Sequence, residues 1–167
     1  MTYELQTLAG RAEIGDVLLR YFRSCDRADP ALMRSTFFAD AEVDYGDFFR
    51  GNVDGFIAAA EGPEAFGSYD RTMHFVGNML IELEGDVAYT ETYVIAHHTT
   101  KPGHAWEGAF VPVYMRYLDR FERRDGRWAV ARRRVVYEWV RRDIAGGFES
   151  LPAEAPEDHE AVRPCPP

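Results

Sequence analysis

The sequence predicts an α+β domain in which N-terminal helices pack on one face of a strongly curved antiparallel sheet. Three observations predict it. Apolar residues recur at helical spacing only in the first 60 or so positions. After residue 70 long stretches alternate apolar and polar side chains, as strands do. Two pairs of these stretches flank tight-turn signals, Glu84-Gly85-Asp86 and Asp125-Gly126. Helices followed by hairpins give α+β, and a curved sheet covered by helices leaves an apolar pocket in its concavity.

The elements follow in order. Residues 5–26 form a helix whose buried face is Ile14, Val17, Leu18, Tyr21, Phe22 and Cys25. Asp29-Pro30 restarts the chain, with Asp as N-cap and Pro as first helical residue of a short helix over about 30–37. "AEVDYGDFF" alternates as a short strand with Val43 and Tyr45 on one side. "NVDGFIAAAEG" reads as a third helix, stopped by Gly62-Pro63. "TMHFVGNMLIEL", "VAYTETYVIAHHT", "WEGAFVPVYMRYLDRFERR" and "RWAVARRRVVYEWV" are long strands. Strands of that length must twist, often through bulges. Residues 1–147 make one domain, and the Pro- and acid-rich residues 148–167 make an irregular tail.

Composition narrows the function. The chain has 167 residues, 46% of them hydrophobic, enough for one domain with a core. No apolar run reaches the roughly 20 residues that span a bilayer, and the first residues lack a signal peptide's apolar stretch. The formal net charge of −9 repels phosphate backbones, so no nucleic-acid partner and no membrane partner is expected. Two separated cysteines, Cys25 and Cys165, fit a reduced, cytoplasmic protein. There is no Gly-rich phosphate loop and no G-x-S-x-G elbow. His97, His98, His104, Glu91 and Glu107 match no standard metal-ligand spacing, so no metal is expected.

Several polar residues stand in apolar places. Asp26 lies at the edge of the first helix's buried stripe. It is either solvated at a fraying end or buried and paired. In the last strand one alternation set is Ala129, Ala131, Arg133, Val135, Tyr137 and Trp139, apolar except for Arg133. A guanidinium on such a face needs a carboxylate or a polar cavity. Arg132 and Arg134 fall on the other, mixed set, and a bulge would swap the two. His74 is either a structural histidine or, beside a buried carboxylate, a general base. Neighbouring strand residues face opposite ways, so at most one of His97 and His98 faces the pocket. Tyr21 and Tyr45 are core aromatics or donors to a substrate oxygen.

"RAEIGDVLLRYFRSCDRAD", "FFADAEVDYGDF", "TMHFVGN", "GDVAYTETYVIAHH" and "YLDRFERRDGRWAVARRRVVYEW" resemble the SnoaL-like branch of the nuclear-transport-factor-two-like superfamily, over about residues 5–142. The resemblance implies a cone-shaped α+β barrel, its sheet mixed at the edge, with a deep pocket and assembly as a homodimer or homotrimer. The pattern of Tyr21, Asp26, Tyr45 and His74 is similar to the cofactor-free dehydratases, of the scytalone dehydratase and bile-acid 7α-dehydratase type. There a His–Asp pair takes a proton, and tyrosines or an Arg bind the carbonyl or leaving group. On that resemblance the expected function is a cofactor-independent lyase, dehydratase-like, on a small hydrophobic ring compound such as an aromatic, polyketide or steroid-like molecule. His74 and Asp26 match the dyad, and Tyr21 and Tyr45 the two tyrosines. Arg133 is expected to pair with Asp26 or with an anionic substrate or leaving group. His97 or His98, with Phe49 and Tyr137, would touch substrate. The hexachlorocyclohexane dehydrochlorinase type lacks the tyrosines and is the poorer match. A retro-aldol carbon–carbon lyase, an isomerase, and a non-catalytic ligand-binding or dioxygenase small-subunit-like protein are the alternatives.

Overall fold

The computed structural model describes residues 4–63 and 65–143. The elements run α1 (Leu5–Arg27), α2 (Pro30–Ser35), β1 (Phe37–Asp44), β2 (Arg50–Asn52), α3 (Val53–Glu61), β3 (Tyr69–Glu84), β4 (Val87–Thr100), β5 (Phe110–Arg124) and β6 (Arg127–Val140). The expected tail over 148–167, with Cys165, lies outside the described residues, as do residues 144–147 of the expected domain. No helix among the described residues is long and apolar enough to cross a membrane.

α1 buries Ile14, Val17, Leu18, Tyr21, Phe22 and Cys25, the stripe its spacing dictates. It ends in a left-handed Ala28 (φ 48), whose amide donates to the Cys25 carbonyl. Asp29 then caps α2, accepting from the Leu32 amide at 2.8 Å, with Pro30 behind it. Asp29→Ala should therefore lower unfolding free energy by about 1 kcal/mol. Urea unfolding measures this, and a loss well under half of that would remove the cap from the account.

The six strands form one sheet in the order β2-β1-β6-β5-β4-β3. β1 runs parallel to β6, and every other pair is antiparallel. The sheet is curved but not closed into a barrel: among the described residues β2 and β3 are its two free edges. Three elements differ from the sequence expectation. The first strand runs over Phe37–Asp44, earlier than "AEVDYGDFF", because residues 45–49 turn the chain back toward β2. The second helix stops at Ser35 because Phe37 and Phe38 are already strand residues, both buried. β2 was not anticipated, since "RGN" is too short and polar to show an alternation.

Register shifts bend the long strands at Val76/Met79 in β3 and at Tyr114/Met115 and Arg120/Phe121 against β6. These bulges also change side-chain parity along β6. Arg133, Val135 and Tyr137 stay on the concave face, but Val130 replaces Ala131 there and Trp139 turns outward, 60% exposed, beside Tyr114. Helix α1 packs across β3 and β6, and α2 and α3 pack on each other and on β1.

Candidate active site

A cavity of about 270 Å³ opens in the concave face. Its wall is mostly apolar, with Met33, Phe56, Phe66, Val113 and Met115 contributing. Into it come the polar tips of Tyr21, Tyr45, Tyr117, His74 and His98.

Asp26 belongs to the last turn of α1, where that helix crosses the free edge of β3. An edge strand presents amides that no neighbouring strand takes. Asp26 takes one of them: the His74 backbone amide donates to Oδ1 at 3.0 Å and to Oδ2 at 3.2 Å. The His74 ring then meets the same carboxylate, Nδ1 to Oδ1 at 2.7 Å. The side chains are 8% and 23% exposed, so this pair is shielded and paired, not solvated at a fraying end. A carboxylate only accepts, so Nδ1 is the donor in this bond, and in the neutral ring Nε2 is the nitrogen with the lone pair. Phe22 stacks on the imidazole at 5.7 Å and holds its plane.

Tyr21 comes from α1 and Tyr45 immediately follows β1, and their hydroxyl oxygens meet 2.5 Å apart. Burial pushes both phenols well above their ordinary pKa, against the pull of Arg133. The pair therefore stays protonated and able to donate. Cys25, also in the wall, is pushed up to about 12 by burial, so its thiol is not ionised at neutral pH.

Arg133 does not pair with Asp26. Its partner is Asp119, directly opposite on β5, in a bidentate fork: Nε to Oδ1 and Nη2 to Oδ2, both 2.7 Å. Both side chains are 0% exposed. The remaining nitrogen, Nη1, donates to the Tyr45 hydroxyl at 3.3 Å. The guanidinium lies 4.0 Å from the Tyr21 ring centre and 4.8 Å from that of Tyr117. Burial works against the charge, and Asp119 outweighs it, holding Arg133 firmly protonated. With its charge already balanced, Arg133 is not a free receptor for an anionic leaving group.

His98, not His97, lines the cavity. His98 Nδ1 donates to the Val111 carbonyl at 3.1 Å, which leaves Nε2 as an acceptor. Burial, and then His74 beside it (ring centres 5.9 Å), pull its pKa down to about 4. His97 instead stacks on Phe110, ring centres 5.5 Å apart. Phe49 is also displaced from the expected role. Its ring fills the space over Gly55, where an added Cβ would come within 2.9 Å, and Phe48 takes the cavity wall. Tyr137 does reach the wall from β6.

Sequence reasoning missed Asp119 and Tyr117. Both sit on the inward set Val113, Met115, Tyr117, Asp119, Phe121, so the alternation that singles out Arg133 also marks Asp119. Among the described residues no group of three or more His, Cys, Asp and Glu could hold a metal ion.

The buried neutral His98 makes stability pH-dependent. Unfolded, it titrates near 6.5; folded, near 4. The unfolded chain binds the extra proton between those values, so stability is full above 6.5 and falls as pH drops toward 4, by up to about 3 kcal/mol. Urea titrations across that range should show the slope, and His98→Asn should flatten it. An identical slope in the variant would contradict the assignment.

The SnoaL-like domain matches residues 6–134. No curated protein matches the chain in sequence. Among solved structures, a type 2 hexachlorocyclohexane dehydrochlorinase, LinA, superimposes with a TM-score of 0.78 at 19% identity, covering 90% of this chain and 98% of that one. A protein provisionally named scytalone dehydratase from Novosphingobium aromaticivorans gives 0.71 at 21%, covering 90% and 97%. One provisionally named an aromatic ring hydroxylase, from the same organism, gives 0.67 at 21%, covering 81% and 94%. Three different activities on one scaffold make these likenesses statements about fold. The residues matched span most of the chain, and it belongs to the SnoaL-like domain family, within the nuclear-transport-factor-two-like superfamily.

Proposed function

We propose that this protein is a cofactor-independent lyase that removes water from a small hydrophobic ring compound bearing a carbonyl and a β-hydroxyl. The observation that carries the reading is the 2.7 Å bond between His74 Nδ1 and Asp26, with the imidazole in the wall of an otherwise apolar cavity. That bond leaves Nε2 unprotonated and facing substrate. Nε2 takes the proton α to the carbonyl, and Asp26 balances the imidazolium that forms. A tyrosine hydroxyl donates to the carbonyl oxygen as it gains enolate charge. The enolate then collapses to the alkene, the β-hydroxyl departs, and it takes the proton from His74 Nε2. The products are an enone and water, and the base is restored. His98, uncharged at neutral pH, cannot supply that proton as an imidazolium. Its Nε2 instead accepts a hydrogen bond from a substrate hydroxyl.

A cavity of about 270 Å³ lies just under the usual range for small-molecule sites, which favours one- or two-ring substrates over a four-ring steroid. A purely ligand-binding subunit needs no oriented imidazole, and a ketosteroid-isomerase-like site uses a carboxylate base alone. The His74–Asp26 bond weighs against both. The test is a mass-spectrometric screen of one- and two-ring β-hydroxyketones for loss of water. Turnover of at least one is expected. Binding of these compounds without any loss of water would count against the lyase reading.

A further inference from the structure

Two phenolic protons serve the Tyr21–Tyr45 pair, and the 2.5 Å contact uses one of them. The direction of that bond decides which hydroxyl is left to meet a ligand. Arg133 decides it. Nη1 donates to the Tyr45 oxygen, and a hydroxyl that accepts a charge-assisted bond becomes a better donor. Tyr45 therefore donates to Tyr21, and the Tyr21 proton is the free one. Its protein neighbour is the Cys25 sulfur, a weak acceptor that a carbonyl or phenolate oxygen displaces.

Arg133 can do this only because Asp119 holds it. The fork at 2.7 Å on two nitrogens fixes the guanidinium plane and points the third at Tyr45. It also cancels the charge that would otherwise bear unopposed on the phenols. The cross-strand register, Asp119 opposite Arg133 and Val43 beside Arg133, builds this support into the sheet behind the pocket.

We propose that the buried Asp119–Arg133 pair is a positioning element that orders a one-way hydrogen-bond chain, Arg133 to Tyr45 to Tyr21, and makes Tyr21 the donor to a single anionic or carbonyl oxygen of the ligand. This rests on the reading that the phenols meet a ligand oxygen. It assigns Asp119 a role and divides the tyrosines into a terminal donor and a supporting one.

The test is equilibrium binding of para-nitrophenol, whose absorption reports whether the bound species is phenol or phenolate. The folded wild-type protein should bind the phenolate. Tyr21→Phe should weaken it about tenfold or more, the loss of a hydrogen bond to a charged group, and Tyr45→Phe clearly less. Asp119→Asn leaves the guanidinium unopposed and should favour phenolate, moving the bound probe's titration to lower pH. Removing both charges with Asp119→Leu and Arg133→Met should move it to higher pH. The double variant trades the ion pair for apolar packing, so it stays informative where Asp119→Asn folds poorly. A merely structural pair would not move the probe's titration in opposite directions. Absence of phenolate binding to the wild type overturns the proposal. So does equal loss from both Phe variants, or a titration that the double variant leaves in place. None of these readouts uses turnover, so failure to find a dehydration substrate with the binding pattern intact counts against the lyase reading alone.

Discussion

His74→Ala is expected to lower turnover of a dehydration substrate by roughly 100-fold or more, with the fold intact. Among the described residues that line the cavity, the His74 imidazole alone combines a fixed tautomer with a counter-charge. Its Nδ1 is tied to Asp26 at 2.7 Å, and the same carboxylate is tied to the His74 backbone amide at 3.0 Å. Ring and main chain are thus held by one anchor, which costs little further ordering when substrate binds. No neighbour can take over. His98 uses Nδ1 on Val111 and is pulled down to about 4, too weak a base for an α proton, and Cys25 is not ionised at neutral pH. Asp26→Asn should be nearly as damaging, because an amide can still contact the ring but cannot balance an imidazolium. Single-turnover and steady-state rates, with circular dichroism to verify folding, make the measurement. Turnover within a few-fold of wild type in His74→Ala would end its assignment as the base.

The largest stability effect is expected at the sheet. Asp119→Ala and Arg133→Ala should each lower unfolding free energy by about 3–5 kcal/mol. Both side chains are 0% exposed, so either substitution strands a full charge where water does not reach. Arg133 is also packed between rings, 4.0 Å from the Tyr21 centre and 5.2 Å from that of Phe37, so losing it opens a void as well. The combined Asp119→Leu and Arg133→Met variant should be far less destabilised than the sum of the two alanine variants, since no charge is left unpaired. Urea unfolding of the wild type, the single variants Asp119→Leu and Arg133→Met, and their double variant gives the cycle. Additive losses would mean that the pair is not coupled.

The legibility of this chain followed the length scale of each feature. α1, the two hairpins and Asp29-Pro30 were readable because their causes are local: a helical stripe, a turn dipeptide, a cap followed by Pro. β2 was not, because three polar residues carry no periodicity and exist as a strand only through β1. Arg133 was readable as a polar residue on an apolar set, and Asp119 carries the same mark on β5. His98 could not be separated from His97, because the choice depends on the parity of a strand whose register is set by its neighbours. Phe49 yielded its place to Phe48 because the bare surface at Gly55 accepts the Phe49 ring.

By itself the sequence determined the α+β order, the buried face of α1, the hairpins, and a short set of polar residues too costly to bury unpaired. Such patterns rest on local spacing and on the free energy of burying apolar surface, both of which travel with the chain. Only the tertiary structure decided the pairing. Asp26 and His74 stand 48 residues apart and meet because α1 crosses the open edge of β3. Arg133 has the charge to answer the same carboxylate, but sheet register sets it opposite Asp119, and hydrogen bonds act over about 3 Å. The sequence left Asp26 either solvated or paired, and the sheet edge supplied the partner.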